Sequence, residues 1–459
     1  MIELKVKTIL DVCDGKLLTK NNESEIENFE RNTNNIQIGD MYLAIKGENA
    51  DGNDFVEMAL QNGAIGAIVD KTPKQEIIEK YSEKCIIQVE DTIKAIQQLA
   101  NYIREKSNVP VVAITGSVGK TSTKDLVASV LSQQFKVLKT EGNYNNHIGL
   151  PLTLLKLKDH DIAVVEMGMN HFGEIRTLTN IAKPNVAIFT NIGTSHIGNL
   201  GSRENILKAK LEMLEGLDEN GEIIINNDND LLNAWNNNEK LQNVNTYGIH
   251  NKSMYVANNI EILDNGSKYE LLSEGNKYEI TVPVSGEHFV YNSLCAFAAG
   301  KTFNISEDKI IKGIAEFKLT AKRMDIKKIK ENITVINDSY NASFDSVKAA
   351  LEVLKNTKGE RKIAVLGNML ELGNFTQELH EKVGEEVINN EIDILITVGE
   401  YAKNIAKIAK EDGMEYVYEY NSINEASKKI KEIMKEEDII LLKASNSMNF
   451  SKILDDIIC

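Results

Sequence analysis

The sequence predicts an α/β protein of three domains. These are a small α/β N-terminal domain, a central P-loop ATPase-like domain whose mostly parallel sheet carries helices, and a C-terminal Rossmann-like doubly wound domain. Three observations predict it. The 459 residues suffice for about three ordinary domains, and 42% hydrophobic content supplies their cores. Short β-branched runs alternate with helical periodicity along most of the chain. One run, in VPVVAITGSVGKTSTKDLVASVL at 109–131, breaks at a glycine turn and resumes as a helix.

In order, residues 1–106 contain IGDMYLAIKGENADGNDFVEMALQNGAIGAIVD, which reads as strand, polar Gly/Asp turn, amphipathic helix and strand. Residues 107–325 carry VVAIT, DIAVVEMG at 161–168, NVAIFTNIG at 185–193 and GEIIINND at 221–228, each followed by a helical stretch. That alternation predicts parallel pairing, with ligands at the carboxyl ends of the strands. An antiparallel pair within KYELLSEGNKYEITVPV at 268–284 interrupts it. In residues 326–459 the alternation returns with KIAVLGNM, DILITVGE, EYVYEY and DIILLKAS.

Composition excludes several classes. A net charge of −16 argues against general nucleic-acid binding and requires cations to be concentrated wherever an anionic nucleotide binds. Cys13, Cys85, Cys295 and Cys459 are scattered, which indicates neither a zinc site nor a disulfide framework and fits a reducing compartment. No apolar run approaches the roughly 20 residues of a membrane span, and MIELKVKTIL lacks the features of a signal peptide. A soluble cytoplasmic monomer is expected.

The turn Gly116-Ser117-Val118-Gly119-Lys120-Thr121 has the chemistry of a phosphate cradle. Glycines let backbone amides approach an anion, the following helix presents its positive end, Lys120 reaches phosphates and the Thr121 hydroxyl ligates Mg²⁺. The loop is a short variant, with Ile114 where the general pattern has a further glycine. Glu166 and His196 lie at or just beyond strand ends that face this loop, and suit a hard and a somewhat softer cation site. Lys210 falls on the apolar stripe of SRENILKAKLEMLEGL. By residue type it reads as a snorkelling lysine, against the sharper reading of a buried amine with a lowered pKa.

Five segments together resemble one family: TGSVGKTSTKD at 115–125, TEGNYNNHIGLPLTLL at 140–155, AVVEMGMNHFGEI at 163–175, TNIGTSHIGNLGSRENILKAKLEM at 190–213 and NDSYNAS at 337–343. The chain resembles the Mur ligase superfamily of ATP-dependent amide-forming enzymes over nearly its whole length, and within it the branch that adds D-alanyl-D-alanine. The resemblance implies ATP and two Mg²⁺ ions. It also implies UDP-N-acetylmuramoyl-tripeptide and D-alanyl-D-alanine as substrates, and an acyl-phosphate intermediate in cytoplasmic peptidoglycan precursor synthesis.

It assigns triphosphate contacts to Thr115, Gly116, Ser117, Val118, Gly119, Lys120, Thr121 and Ser122, and one Mg²⁺ to Thr121 and Glu166. His196 and a carbamylated Lys210 would support the second ion. His288 and Asn292 would approach the adenine, and Arg323 and Asp338 would reach ATP from the domain junction and make the closure contacts. Thr33, Asn34, Lys46 and Asp51 fall in the uridine-diphosphate pocket, and Asn143, Asn145 and Asn146 on the muramoyl-peptide side. The first domain thus takes the nucleotide-sugar, the central one ATP and the third the amine.

The chain departs from the branch at Asn446, where an arginine is usual, and at Asn368, Phe344 and Phe289, where aspartate, proline and asparagine are. A paralogue that joins another amino acid or dipeptide, or a folate-type polyglutamate ligase, is therefore the alternative. Retention of Lys120, Glu166, His196 and Lys210 speaks against a non-catalytic scaffold.

Overall fold

The computed structural model describes residues 4–21, 23–239, 241–320, 323–329 and 332–458. Among them are three principal sheets in which most neighbouring strands run parallel. The first has the order Lys16–Leu17, Cys85–Gln88, Gly66–Val69, Asp40–Leu43, Asn28–Glu30, antiparallel only at its first pair. Alternating side chains divide between two cores. Met41, Leu43, Ile68 and Ile87 face one, and Tyr42, Ala67, Val69 and Ile86 face the other.

The expected strand, turn, helix and strand are Asp40–Leu43, Gly52–Phe55, Val56–Gln61 and Gly66–Val69. The helix Thr92–Ser107, whose N-cap Asp91 accepts from the Lys94 amide at 2.9 Å, leads to the second sheet. Its buried Arg104 locks that junction by donating to the carbonyls of Ala182 and Lys183 and to Asn185 Oδ1, all at 2.9 Å. The last carbonyls of the helix Glu174–Ala182 are thereby satisfied.

The second sheet has nine strands, from Val137–Lys139 at one edge through Ile162–Glu166, Val111–Thr115, Val186–Phe189, Glu222–Asn226 and Val244–Gly248 to Tyr255–Leu263, Gly266–Ser273 and Asn276–Val282. Strands buried on both faces read as unbroken apolar runs, as VVAIT does. The expected antiparallel pair is present as Gly266–Ser273 with Asn276–Val282, and a further strand, Tyr255–Leu263, joins it antiparallel. Tyr255–Leu263 lacks a clear strand signal because its outer half, 259–263, buries no side chain and its pairing is offset between Asn258 and Glu261.

The third sheet runs Asp325–Lys328, Thr334–Asn337, Ile439–Lys443, Lys362–Gly367, Ile394–Val398, Val417–Tyr420, parallel except at the first pair. Ala364 and Leu366 pack on one side with the helices Phe344–Asn356 and Thr376–Asn389. Ile363 and Val365 pack on the other with Ile423–Ile433 and Ser451–Ile458, the doubly wound arrangement. Cys13, Cys85 and Cys295 are buried free thiols, and Cys459 lies outside the described residues. Among the described residues, no helix is long and apolar enough to cross a membrane.

Candidate active site

The glycine turn joins the strand Val111–Thr115 to the helix Lys120–Leu131, so the helix aims its unpaired amides into a cavity of about 510 Å³. Gly116 cannot be replaced without strain, since a Cβ there would fall 1.9 Å from Thr190 Oγ1. The strand that follows also shapes the loop. Thr190 Oγ1 donates to the Val118 carbonyl at 2.7 Å, and Asn191 Oδ1 accepts from the Ser117 and Val118 amides at 3.0 Å each. Those two amides are therefore engaged within the protein. The positive end offered to an anion is that of Gly119, Lys120 and Thr121.

Lys120 curls back, donating to the carbonyls of Gly116 at 2.9 Å and Ser117 at 3.3 Å, and burial holds its amine below the usual lysine range. Lys210 meets the same loop from the helix Arg203–Leu211, where its Nζ donates to the Gly116 carbonyl at 3.0 Å. It is only 2% exposed, so the snorkelling reading is overturned. Burial, with the nearby Lys120 adding to it, holds its amine well below the ordinary value. Burial thereby favours the uncharged amine, the nucleophilic form that captures carbon dioxide.

Glu166 ends the strand Ile162–Glu166 and is 2% exposed. It accepts from Thr121 Oγ1 and from Asn145 Nδ2, both at 2.7 Å. A buried carboxylate and a hydroxyl beside a phosphate loop are the hard oxygen donors that suit Mg²⁺ held jointly by protein and phosphates. His196 lines the same cavity in a left-handed backbone conformation, φ 63°, with Nδ1 2.6 Å from Glu371 Oε2 of the third domain.

Arg323 enters from the linker. Its Nη2 donates to Thr121 Oγ1 at 2.9 Å, and its guanidinium lies 4.0 Å over the Tyr340 ring. Arg323 Nε and Asn292 Nδ2 are buried without a hydrogen-bond partner among the described residues, which fits donors meant for a polar ligand. The other end of the Asn292 carboxamide accepts from Thr123 Oγ1 at 3.1 Å. His288 lines the cavity near Tyr291 and Asn292, and burial pushes its imidazole down to about 4 against the opposing pull of Asp338.

Asp338 lines the cavity and meets the central domain only at its linker end. It pairs with Lys443 and accepts from the Met324 amide at 3.2 Å. Contact with the central domain falls instead to Glu371 and to Asp345, whose Oδ2 accepts from the Thr194 amide at 2.8 Å and from Thr194 Oγ1 at 2.9 Å. Reading the sequence missed Asn191, Tyr340, Asp345, Glu371 and Lys443. Asn191, in the TNIG run after its strand, had the strongest local signal.

Asn143, Asn145 and Asn146 line the cavity beside the loop. Thr33, Asn34, Lys46 and Asp51 do not line it. They sit on the segments after the strands Asn28–Glu30 and Asp40–Leu43, at the carboxyl ends of two parallel neighbours. Asp51 is held there by Lys71 and Asn53, whose hydrogen bonds keep its carboxyl well below the usual range.

A second cavity of about 270 Å³ adjoins the first, and Ser195, His196, Asn341, Ala342 and Ser343 line both. Its far side is formed by Glu371, Ser445 and Asn446. Asn446 Nδ2 donates to the Tyr340 carbonyl at 2.9 Å. Asn368 keeps an acceptor where aspartate is usual, taking the Tyr401 and Ala402 amides at 3.0 and 2.9 Å. Phe344 is the first residue of its helix, where proline is also favoured, and Phe289 is buried against Phe317.

Family models match three consecutive stretches: the Mur ligase family, catalytic domain over 27–104, the Mur ligase middle domain over 114–300, and the Mur ligase, glutamate ligase domain over 322–446. The chain is 36% identical to the UDP-N-acetylmuramoyl-tripeptide–D-alanyl-D-alanine ligase of Bacillus subtilis (strain 168), over 100% of this chain and 99% of that one. A crystal structure of MurF from Acinetobacter baumannii superposes with TM-score 0.90 at 29% identity, covering 100% and 99% of the two chains. MurF ligase from Thermotoga maritima, solved in complex with ADP, gives TM-score 0.81 at 26% identity over 94% and 96%. With its phosphate loop, buried lysine and three sheets in this order, the chain belongs to the Mur ligase family.

Proposed function

We propose that this protein is an ATP-dependent ligase that adds D-alanyl-D-alanine to UDP-N-acetylmuramoyl-tripeptide in cytoplasmic peptidoglycan precursor synthesis. The observation that carries it is the pair of adjoining cavities with a common wall: one holds a phosphate loop, the other opens onto the third domain. Such a pair lets an activated carboxyl formed on one side meet an amine from the other. Full-length similarity to ligases of that name supports the substrate pair.

In this reading the peptide carboxylate attacks the γ-phosphorus of ATP, and ADP leaves. The amine then adds to the acyl phosphate through a tetrahedral intermediate, and phosphate departs. Both steps gather negative charge. Lys120, Arg323 and the amides at the start of the helix Lys120–Leu131 stabilise it, and the buried setting strengthens each interaction. Mg²⁺, when bound, would neutralise phosphate charge; Thr121 and Glu166 would hold one ion, and His196, supported by a carbamylated Lys210, a second. Asn292 and His288 hold the base, while Asn143, Asn145 and Asn146 orient the peptide. Thr33, Asn34, Lys46 and Asp51 take the uridine diphosphate, on a first domain of residues 1–106. Residues 107–325 bind ATP, and residues 326–459 bind the amine. Closure keeps water from the acyl phosphate.

A ligase for another amino acid or dipeptide is the second reading. Asn446 favours it, because a carboxamide in the second cavity gives one weak contact where a guanidinium gives a bidentate carboxylate clamp. Phosphate release from purified protein with ATP, UDP-N-acetylmuramoyl-tripeptide and a panel of amines tests both. D-alanyl-D-alanine is expected to give the highest kcat/KM, and a different preferred amine overturns the first reading. Lys120→Ala is expected to lower the release rate by at least about 100-fold.

A further inference from the structure

Glu371 belongs to the third domain, in the loop between the strand Lys362–Gly367 and the helix Thr376–Asn389. It reaches the central domain twice. Its carboxylate sits 2.6 Å from His196 Nδ1, and its carbonyl accepts from the Gly198 amide at 3.1 Å. Both partners are held in uncommon backbone: Glu371 has φ 64° and His196 φ 63°. Such a conformation is strained for a non-glycine residue and persists only where its surroundings impose it.

The surroundings of Glu371 do impose it. Leu370 donates its amide to Ser445 Oγ at 3.0 Å. The buried His380 accepts from the Met369 amide at 3.0 Å on Nε2, and its Nδ1 lies 2.6 Å from the Thr376 carbonyl. The loop is thus braced on both sides of a carboxylate that points out of its own domain.

We propose that Glu371 is a positioning residue for His196, so that the cation site of the central domain is completed by a group from the amine-binding domain. Glu371 packs its carboxylate against Nδ1 in a close contact that is not aligned as a hydrogen bond, so seating it restrains the ring and leaves Nε2 as the nitrogen for a cation in the cavity that His196 lines. Metal affinity and domain docking are then one equilibrium. The acceptor domain must be seated before the metal ligands are in order. This rests on the reading of His196 as a metal ligand.

The test is Mn²⁺ binding to the full chain in the presence of ADP, followed by the electron paramagnetic resonance signal of free Mn²⁺. Wild type, Glu371→Ala, Glu371→Gln, His196→Ala and the double variant are compared, with melting temperature as the check on folding. Glu371→Ala is expected to weaken Mn²⁺ binding about tenfold. Glu371→Gln, which keeps an acceptor, is expected to recover part of that loss. In the His196→Ala background, Glu371→Ala is expected to add nothing, because its effect passes through the ring. Unchanged affinity in Glu371→Ala, or an equal loss in both backgrounds, overturns the proposal. Wild type that binds no Mn²⁺ with ADP overturns the metal reading itself, a distinct result.

Discussion

Lys210 shows how far one residue's surroundings can reverse its chemistry. On the surface its charge would be harmless; beneath the phosphate loop it has one backbone carbonyl as a hydrogen-bond partner and another lysine nearby. Lys210→Ala is expected to abolish ligation, and millimolar formate or acetate to restore part of it in a phosphate-release assay. The absence of any rescue removes the carbamate from the mechanism. His288 gives a pH signature. Its folded value of about 4 lies below the 6.5 of a free imidazole, so between those limits the unfolded chain binds a proton that the folded chain refuses. Stability therefore falls as pH drops from 6.5 toward 4. His288→Asn is expected to flatten that part of a melting-temperature profile, with little change at pH 8. The placement of Lys120 and Thr121 at the mouth of the cavity was readable because glycine spacing is local chemistry. The depth of Lys210 was not, because a stripe lysine looks the same whether its tip reaches water or a buried carbonyl.

At the scale of elements, the phosphate loop depends on its neighbouring strand as much as on its own glycines. Thr190 and Asn191, at the end of Val186–Phe189, hold it through side chains more than 70 positions away. A methyl group at Gly116 would collide with that support. Gly116→Ala is expected to lose ADP binding in calorimetry while leaving far-ultraviolet circular dichroism unchanged. Most parallel strands were legible, since burial on both faces writes itself as an apolar run. The strands that escaped are marginal in composition. Asp325–Lys328 is an edge strand with only partly buried or exposed side chains, and Tyr255–Leu263 carries two asparagines at its offset.

For the whole molecule, the domain junction is where sequence reading ran out. Asp345 meets Thr194 across 151 positions, and Glu371 meets His196 across a similar gap, so no pattern within either segment announces the pairing. The junction is also tight. A Cβ on Gly198 would lie 2.5 Å from the Gly373 amide nitrogen and 2.6 Å from the Glu371 carbonyl oxygen. Gly198→Ala is expected to wedge the third domain away. Ligase turnover should fall about 100-fold and the radius of gyration in small-angle scattering should rise. An unchanged scattering curve with full turnover refutes a closed working state.

The linker before the third domain is fastened to the nucleotide helix at two points: Thr320 donates to Asp125 at 2.5 Å, and Arg323 to Thr121 at 2.9 Å. Two rivets on one rod leave little slack, so torque from a swinging C-terminal third passes straight into the loop that grips the phosphates. Nucleotide exchange and the swing of that third are thereby geared together, and a molecule wedged into the hinge would jam both at once.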